Sequence, residues 1–209
     1  MLNVRILPLG PLQTNCYLAA CDETGDVAVV DPSWDAEKIL ATVDDLGWRI
    51  THILLTHSHF DHVGALAGLK SATNAPVYAH PDAVPMLAVA SDSAARWGLY
   101  LEQPQAPDED LEEGQILTVG NVKFEVLYTP GHAPGHVSFH APVYQVLFDG
   151  DVLFQGSIGR TDLPGADYQT LIDVIREKLL VLPDETRVLS GHGNPTTIGE
   201  EKRTNPFLR

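Results

Sequence analysis

One short segment, residues 56–62, concentrates side chains that bind metal ions. It contains His57, His59, Asp61 and His62, and it lies between an apolar strand-like run and a helix-like run. Divalent transition metals take neutral imidazole and carboxylate groups as ligands. Because alternate residues of an extended segment point the same way, His57, His59 and Asp61 are predicted to converge. His62 begins the helix and turns elsewhere, which favours a second metal beside the first over the alternative of a solvated polar loop.

Three further polar residues share one context, the end of an apolar run on a glycine-rich loop. They are His132, Asp151 and His192. Glycine lets the backbone bend tightly and approach a ligand closely. Each residue alone is more typical of a turn, but their common context indicates a shared site with residues 56–62. Asp149 competes with Asp151 for the role of ligand.

The composition limits the classes of protein and partner. The chain has 209 residues, enough for a substantial core, and we predict one domain over residues 1–209. A net charge of −15 argues against nucleic acid as a partner, because phosphate binding needs a basic patch. No apolar run of about 18 residues predicts a membrane span, and the first residues lack the layout of a secretory signal. Cys16 and Cys21 are expected to be reduced thiols in a cytoplasmic protein, with Cys16 in the core.

Hydrophobic periodicity predicts strands and helices in alternation. Strands are expected at 4–9, 15–21, 27–31, 51–55, 76–79, 116–119, 122–127, 136–140, 144–148 and 187–189, and helices at 35–46, 63–72, 82–97 and 168–182. The third helix is expected to break near Pro85. This order favours two sheets that face each other with helices outside, in the α+β class. A Pro-rich acidic stretch, residues 103–113, is interpreted as a surface loop beside the site and not as an interdomain linker.

Taken together, these residues resemble a known family. The series His57, His59, Asp61, His62, His132, Asp151 and His192 is similar to the ligand set of the metallo-β-lactamase fold superfamily. Segments 13–17, 129–132, 156–160 and 190–193 resemble the glyoxalase II group, also called hydroxyacylglutathione hydrolases. The resemblance implies an αββα sandwich with the site at the edges of the sheets. The resemblance is to a short form of this group, without the C-terminal helical domain of full-length glyoxalase II.

The resemblance also implies two divalent metal ions. One is held by His57, His59 and His132, the other by Asp61, His62 and His192, and Asp151 bridges the two. Zinc is the first expectation and iron or manganese are the alternatives, because imidazole and carboxylate suit all three. Two such metals lower the pKa of a shared water and aim it as hydroxide at a carbonyl carbon.

The reaction implied is hydrolysis of a small-molecule thioester or ester, such as the glutathione conjugate S-lactoylglutathione. Asp61 is the predicted catalytic residue, which orients the attacking hydroxide and moves the proton. Arg160 stands where this group has a basic residue that helps to hold glutathione; alternatively it is a surface residue paired with Asp162 or Asp167. His136 is either a hydrogen-bond partner of a ligand or an ordinary residue at the start of a strand.

Other functions share these motifs. A persulfide dioxygenase would hold a single iron with the equivalents of His57, His132 and Asp151 and would use dioxygen. A lactonase or general esterase would use the same two metals on a different acyl group. A metal-binding protein without enzymatic activity is a further alternative. The sequence predicts no particular oligomeric state.

Overall fold

Two six-stranded β-sheets form the centre of the molecule in a computed structural model that describes residues 1–209. The first sheet follows chain order, with β1 (Leu2–Leu9), β2 (Thr14–Cys21), β3 (Asp26–Val30), β4 (Arg49–Leu54), β5 (Val77–Ala79) and β6 (Glu109–Asp110). Strands β1 to β3 pair antiparallel, and β3 to β6 pair parallel. The carboxyl ends of β3 and β4 therefore lie at the same edge of this sheet.

The second sheet is built from the second half of the chain. The strands are β7 (Ile116–Val119), β8 (Val122–Tyr128), β9 (Val137–Ala141), β10 (Val146–Gly150), β11 (Leu153–Phe154), β12 (Ser157–Ile158), β13 (Arg187–Ser190) and β14 (Thr196–Thr197). Six of them form the sheet in the order β14-β13-β10-β9-β8-β7, while β11 and β12 pair only with each other. Because β10 and β13 are parallel, the loops after them leave from the same edge.

The helices lie on the outer faces of the sheets. They are α1 (Ala36–Asp45), α2 (Leu66–Thr73), α3 (Val84–Leu87), α4 (Ala90–Ala95), α5 (Tyr168–Val174), which continues into a π-helical turn at Ile175–Leu179, and α6 (Ile198–Thr204). Short 3₁₀ turns occur at Phe60–His62, Pro81–Ala83 and Pro142–Tyr144. None of these helices combines the length and the apolarity that crossing a bilayer requires.

Three apolar layers hold the elements together. The inner layer joins the two sheets, with residues such as Tyr17 and Leu54 packed against Phe124 and Phe148. An outer layer joins the first sheet to α1 through α4. The other outer layer joins the second sheet to α5 and its π-helical turn. The molecule is thus an αββα sandwich, which confirms the predicted fold class.

Strand β2 shows why the sandwich forms around this sequence. All eight of its residues are buried, and alternate side chains point to opposite faces. Cys16 belongs to the outer apolar layer, whereas Tyr17 and Cys21 belong to the inner one. Both thiols are free and fully buried, so the prediction that Cys16 is a core residue is confirmed. Each large apolar side chain buried in such a strand contributes about 1.5–3 kcal/mol to stability.

Three predicted elements differ from the observed ones. Helix α2 begins at Leu66, not at residue 63, because Val63 ends the 3₁₀ turn with a non-helical backbone, at φ −125° and ψ 8°. Pro85 does not break a helix; it lies in the first turn of α3, where its missing N–H is harmless, and the break falls between α3 and α4. Strands β11, β12 and β14 and helix α6 were not predicted.

Candidate metal centre

Three imidazoles converge where β4 and β8 end. His57 and His59 follow β4, and His132 follows β8. The Nδ1 atom of His59 lies 3.0 Å from Nε2 of His57 and 3.0 Å from Nε2 of His132. A tetrahedral zinc ion with nitrogens at about 2.0–2.1 Å holds those nitrogens roughly 3.3 Å apart. The spacing of these three rings is therefore that of a set of ligands around one ion.

A second group lies beside the first. The Nε2 atom of His192 lies 3.2 Å from Oδ2 of Asp61, and Nε2 of His62 lies 3.6 Å from the same oxygen. The spacing argument predicts that Asp61 points with His57 and His59, but the structure places it in this second group. The cause is the 3₁₀ turn at Phe60–His62, which ends the alternation of an extended strand.

Asp151 faces both groups. Its Oδ1 lies 3.5 Å from Nε2 of His62, and its Oδ2 lies 3.6 Å from Nε2 of His132 and 3.6 Å from Nε2 of His192. All seven residues singled out in the sequence as candidate ligands thus come together at one edge of the sandwich. Asp149 points away, because its two oxygens accept hydrogen bonds from Ser138 Oγ at 2.7 Å and Leu153 N at 2.8 Å.

In three of the imidazoles Nδ1 forms a hydrogen bond, which leaves the Nε2 atom of each ring free to face the cluster of candidate ligands. Thr56 donates its hydroxyl proton to Asp31, so the Nδ1–H of His57 donates to Thr56 Oγ1 at 3.0 Å. The Nδ1–H of His62 donates to Asp31 Oδ2 at 2.9 Å, and that of His132 donates to the Arg160 carbonyl at 2.9 Å. When these rings are neutral, the unprotonated Nε2 of each one points to the cluster. This is the arrangement that orients histidine ligands in metal sites.

The chemistry of the cluster fits divalent cations. Burial lowers the pKa of His57, His59 and His132, that of His59 to about 4, so these rings are neutral and offer a lone pair. Burial also acts to lower the pKa of His62, but the carboxylates of Asp151, Asp61 and Asp31 raise it well above its usual value. His62 Nε2 and Asp151 Oδ1 are buried without a hydrogen-bond partner. Lone pairs, excess negative charge and unpaired buried atoms all favour a bound cation.

Asp31 is a part of the site that sequence reasoning missed. It lies directly after β3, only 2% exposed, and its oxygens accept hydrogen bonds from Thr56 N, Thr56 Oγ1 and His62 Nδ1. These bonds engage both oxygens, so Asp31 is placed to orient His62 and Thr56, and it also lies within metal-ligand spacing of His57 and His62. The available signal was its context, an acidic residue at the end of a buried strand, which it shares with the predicted ligands.

The start of β2 holds the loop that carries His192. Asn15 Nδ2 donates to the carbonyls of Ser190 and Gly193, at 3.0 Å each, and the Tyr17 hydroxyl also donates to Ser190 O. Thr14 Oγ1 donates to Asp61 Oδ2 at 2.8 Å. The segment 13–17, noted in the sequence for its family resemblance, therefore connects Asp61 with the loop of His192, two members of the second group.

His136 contacts a ligand, as one of the two sequence interpretations expected. Its Nε2 accepts a hydrogen bond from Asp151 N at 3.1 Å, and its Nδ1 pairs with Thr129 Oγ1 at 2.9 Å. The Thr129 hydroxyl forms a further hydrogen bond of 3.0 Å with Ser138 Oγ. This fully buried chain of hydrogen bonds fixes the backbone at Asp151.

Glycine is required where the loops meet. A Cβ atom on Gly191 would lie 2.2 Å from Asp151 Oδ1 and 2.6 Å from a carbon of the His62 ring. A Cβ atom on Gly159 would lie 2.0 Å from the Asp151 carbonyl oxygen. Both distances are too short for any Cβ atom. Only glycine at these two positions therefore lets Asp151 and His62 pack directly against the loop backbone.

A pocket of about 390 Å³ opens beside the cluster, next to His132, Asp151 and His192. Its other walls include Phe154, Ser157, Ile158 and Arg160. Arg160 is about half exposed and binds Asp162 through two hydrogen bonds of 2.7 Å, as one of its two sequence interpretations expected. None of residues 103–113 lines this pocket; part of that loop forms β6 at the edge of the first sheet.

Comparisons with known proteins agree with this geometry. Residues 9–192 match the family described as the Metallo-beta-lactamase superfamily. The chain is 43% identical to the hydroxyacylglutathione hydrolase GloC of Haemophilus influenzae, over 99% of this chain and 98% of that protein. Among solved structures, the BLEG-1 B3 metallo-beta-lactamase has a TM-score of 0.92 and 42% identity, with 99% of both chains covered. A di-iron-bound form of TTHA1623 has a TM-score of 0.91 and 48% identity, with 98% of this chain and all of the other covered. The chain belongs to the metallo-β-lactamase superfamily of metal-dependent hydrolases.

Proposed function

We propose that this protein is a thioesterase of the glyoxalase II type, which hydrolyses a thioester such as S-lactoylglutathione with two divalent metal ions. The observation that carries the proposal is the position of Asp151, whose carboxylate lies within 3.6 Å of ligands from both groups beside an open pocket. The 43% identical relative named hydroxyacylglutathione hydrolase supports the choice of substrate. Zinc is our first choice of metal, with iron or manganese as alternatives.

In this proposal the seven clustered side chains are the metal ligands. His57, His59 and His132 would hold one ion and Asp61, His62 and His192 the other, and Asp151 faces both groups. Bound there, two divalent ions would supply a water of lowered pKa and would polarise the substrate carbonyl. The residues of the chain must then orient the attacking water, move its proton and hold the substrate.

Asp61 is the proposed catalytic residue. Burial raises its pKa, but the charge of His62 and hydrogen bonds from His192 and Thr14 lower it to about 2, so the carboxylate is ionised at neutral pH. Thr14 occupies Oδ2, and Oδ1 remains to accept a proton from the attacking water. The water oxygen bonds to the carbonyl carbon, the C–S bond breaks, and the proton passes from Asp61 to the departing sulfur.

Arg160 is the proposed substrate contact. Its Nε and Nη2 atoms bind Asp162, and neither bond uses Nη1. The guanidinium is therefore held in one orientation at the wall of the pocket, with a free donor edge. A glutathione conjugate carries carboxylates, which a guanidinium binds well.

The proposal is tested by elemental analysis of the purified protein together with assays on five substrates. We expect about two metal ions per chain and turnover of S-lactoylglutathione well above that of a lactone or a β-lactam. A single tightly bound iron, with oxygen uptake on glutathione persulfide, would replace the thioesterase with a persulfide dioxygenase. Turnover of lactones or simple esters alone would assign the site to those substrates, and metal binding without any turnover would leave a binding protein.

Site variants test the assignment of ligands. We expect His59→Ala and Asp151→Ala each to reduce turnover to the background rate while circular dichroism shows an intact fold. His80→Ala is the matched control, because His80 stacks on Tyr128 outside the cluster. Unchanged rates in both site variants would refute the assigned site.

A further inference from the structure

One wall of the pocket is a hairpin that belongs to neither large sheet. Strands β11 and β12 each have two residues and pair only with each other. Phe154, Ser157 and Ile158 of this hairpin line the pocket, and the Phe154 ring lies 6.5 Å from that of His192. An isolated two-stranded hairpin is marginally stable at best in water. Its position must therefore be set by contacts with other parts of the chain.

The two ends of the hairpin are attached to the second sheet. The Leu153 carbonyl accepts a hydrogen bond of 2.6 Å from Ser190 Oγ, and the Leu153 N–H donates to Asp149. At the other end, the Gly159 N–H donates to the Val152 carbonyl at 2.9 Å. These bonds fix the base of the hairpin but leave its tip, residues 155–157, to be held from elsewhere.

The tip is held by helix α6 and the residue that follows it. The Gly156 N–H donates to Oε2 of Glu201 at 2.9 Å. Asn205 Nδ2 donates to the Ser157 carbonyl at 2.9 Å and to the same Glu201 oxygen at 2.8 Å. The hydroxyl of Thr196 bonds the other oxygen of Glu201. Two side chains thus bind the backbone of the hairpin at adjacent residues, Gly156 in its turn and Ser157 at the start of β12.

The burial of Glu201 indicates that this contact is specialised. Glu201 is fully buried and Asn205 is 1% exposed, yet no lysine or arginine lies within salt-bridge distance of Glu201. Its neighbour Glu200 is half exposed and pairs with Arg203 in the usual way. A carboxylate buried among neutral donors is costly unless every lone pair is used. Here one of those donors, the Gly156 N–H, belongs to the hairpin that forms a wall of the pocket, whereas Glu201 itself lies beyond the residues 9–192 that match the family.

We propose that Glu201 and Asn205 are positioning residues for the substrate: they hold the pocket-lining hairpin in the conformation that binds it. The inference rests on the proposed function in taking a thioester as the ligand of the pocket. It separates binding from chemistry, because most of the metal cluster is supported by bonds away from the hairpin, such as those of His57 to Thr56 and of His62 to Asp31. Loss of the contacts that Glu201 and Asn205 make with the hairpin should therefore raise KM and leave kcat and metal content unchanged.

The test compares four variants of the full-length metal-loaded protein. Glu201→Ala removes the acceptor of the Gly156 N–H, and Asn205→Ala removes the bonds to Ser157 and Glu201 together with the acceptor of the Phe207 N–H. Glu201→Gln keeps an acceptor oxygen without the charge. Glu200→Ala is the matched control, because it removes an exposed carboxylate from the same helix. Each is assayed for KM and kcat on S-lactoylglutathione, for metal content, and for hydrogen exchange of the segment 153–158.

We expect Glu201→Ala and Asn205→Ala to raise KM about tenfold or more and to speed exchange in 153–158, with kcat and metal content within about twofold of wild type. Glu201→Gln should restore most of the affinity, and Glu200→Ala should behave as wild type. Unchanged KM, or faster exchange in 153–158 with equal losses of metal and kcat in Asn205→Ala, would overturn the proposal. If Glu201→Ala does not fold, Asn205→Ala decides.

The same experiment separates this proposal from the thioesterase assignment. Wild-type protein that hydrolyses no thioester refutes the assignment, and binding of glutathione, measured by calorimetry, then replaces KM as the readout. Weaker glutathione binding by the alanine variants, with faster hydrogen exchange in 153–158, would still support the positioning role of Glu201 and Asn205. Equal binding by wild type and both alanine variants would refute it.

Discussion

Replacing Asp31 with Asn tests the orientation of the ligands most directly. The Asp31 backbone has a φ of 50°, which lies in the left-handed region. Asparagine tolerates this conformation about as well as aspartate, so Asp31→Asn leaves the backbone in place. The aspartate accepts three hydrogen bonds, from Thr56 N at 2.7 Å, Thr56 Oγ1 at 2.7 Å and His62 Nδ1 at 2.9 Å. All three donors need an acceptor, and asparagine has only one acceptor oxygen.

The size of the effect follows from this mismatch. Thr56 N binds Oδ1 of Asp31 and His62 Nδ1 binds Oδ2, so at least one donor must face the new NH₂ group. A hydrogen bond to a charged group contributes about 1.5–3 kcal/mol. With about 1.4 kcal/mol for each factor of ten, binding of one metal should weaken roughly 10- to 100-fold.

The assay is a titration of the metal-free protein with zinc against a chromophoric chelator. Thr56→Val is the comparison, because it removes the hydroxyl that accepts from His57 Nδ1 but keeps the Asp31 carboxylate. We expect Asp31→Asn to weaken the ion held with His62, and Thr56→Val to weaken the ion held with His57. Two equivalents bound by Asp31→Asn with wild-type affinity would refute the argument that Asp31 orients His62.

Three further predictions concern the metal, the glycine contact and the pocket. Removing metal with a chelator should lower Tm by roughly 5–10 °C for each site occupied at about 100 Kd, measured by calorimetry; an unchanged Tm would mean that no ion was bound in the folded state. Gly191→Ala should lose metal by elemental analysis, because its Cβ would lie 2.2 Å from Asp151 Oδ1; full metal content would show that the loops can separate. Arg160→Gln should raise KM for S-lactoylglutathione and leave Tm nearly unchanged, because an exposed ion pair with Asp162 contributes little to stability; an unchanged KM would exclude Arg160 as a substrate contact.

Local patterns were sufficient to predict most of the fold. The apolar residues of β2 and the helical spacing in α1 define their elements without help from distant residues. Asp167 directly precedes α5, and it caps the helix by accepting a hydrogen bond of 2.7 Å from Thr170 N. The common context of strand ends also indicated which residues meet, since strands of one sheet deliver their loops to the same edge.

Contacts that depend on the pairing of distant segments could not be predicted from the sequence. Asp31 reaches Thr56 because β3 and β4 pair in parallel with Val30 opposite Leu54, a register that no local pattern specifies. Helix α6 has the polar sequence of a solvated helix, which predicts exposure for Glu201. Its burial follows from the hairpin β11–β12, whose strands of two residues are too short to show a period.

The cluster joins the two halves of the sandwich, and this determines how far stability depends on metal. Residues 57–62 come from the first sheet, whereas His132, Asp151 and His192 come from the second. Bound cations would therefore link the sheets at one edge. The same edge is already linked by the bonds of Asn15 and Tyr17 to the loop of His192, and the inner apolar layer joins the sheets over their whole width. Because these contacts need no ion, the metal-free protein should keep its secondary structure at room temperature while it loses activity.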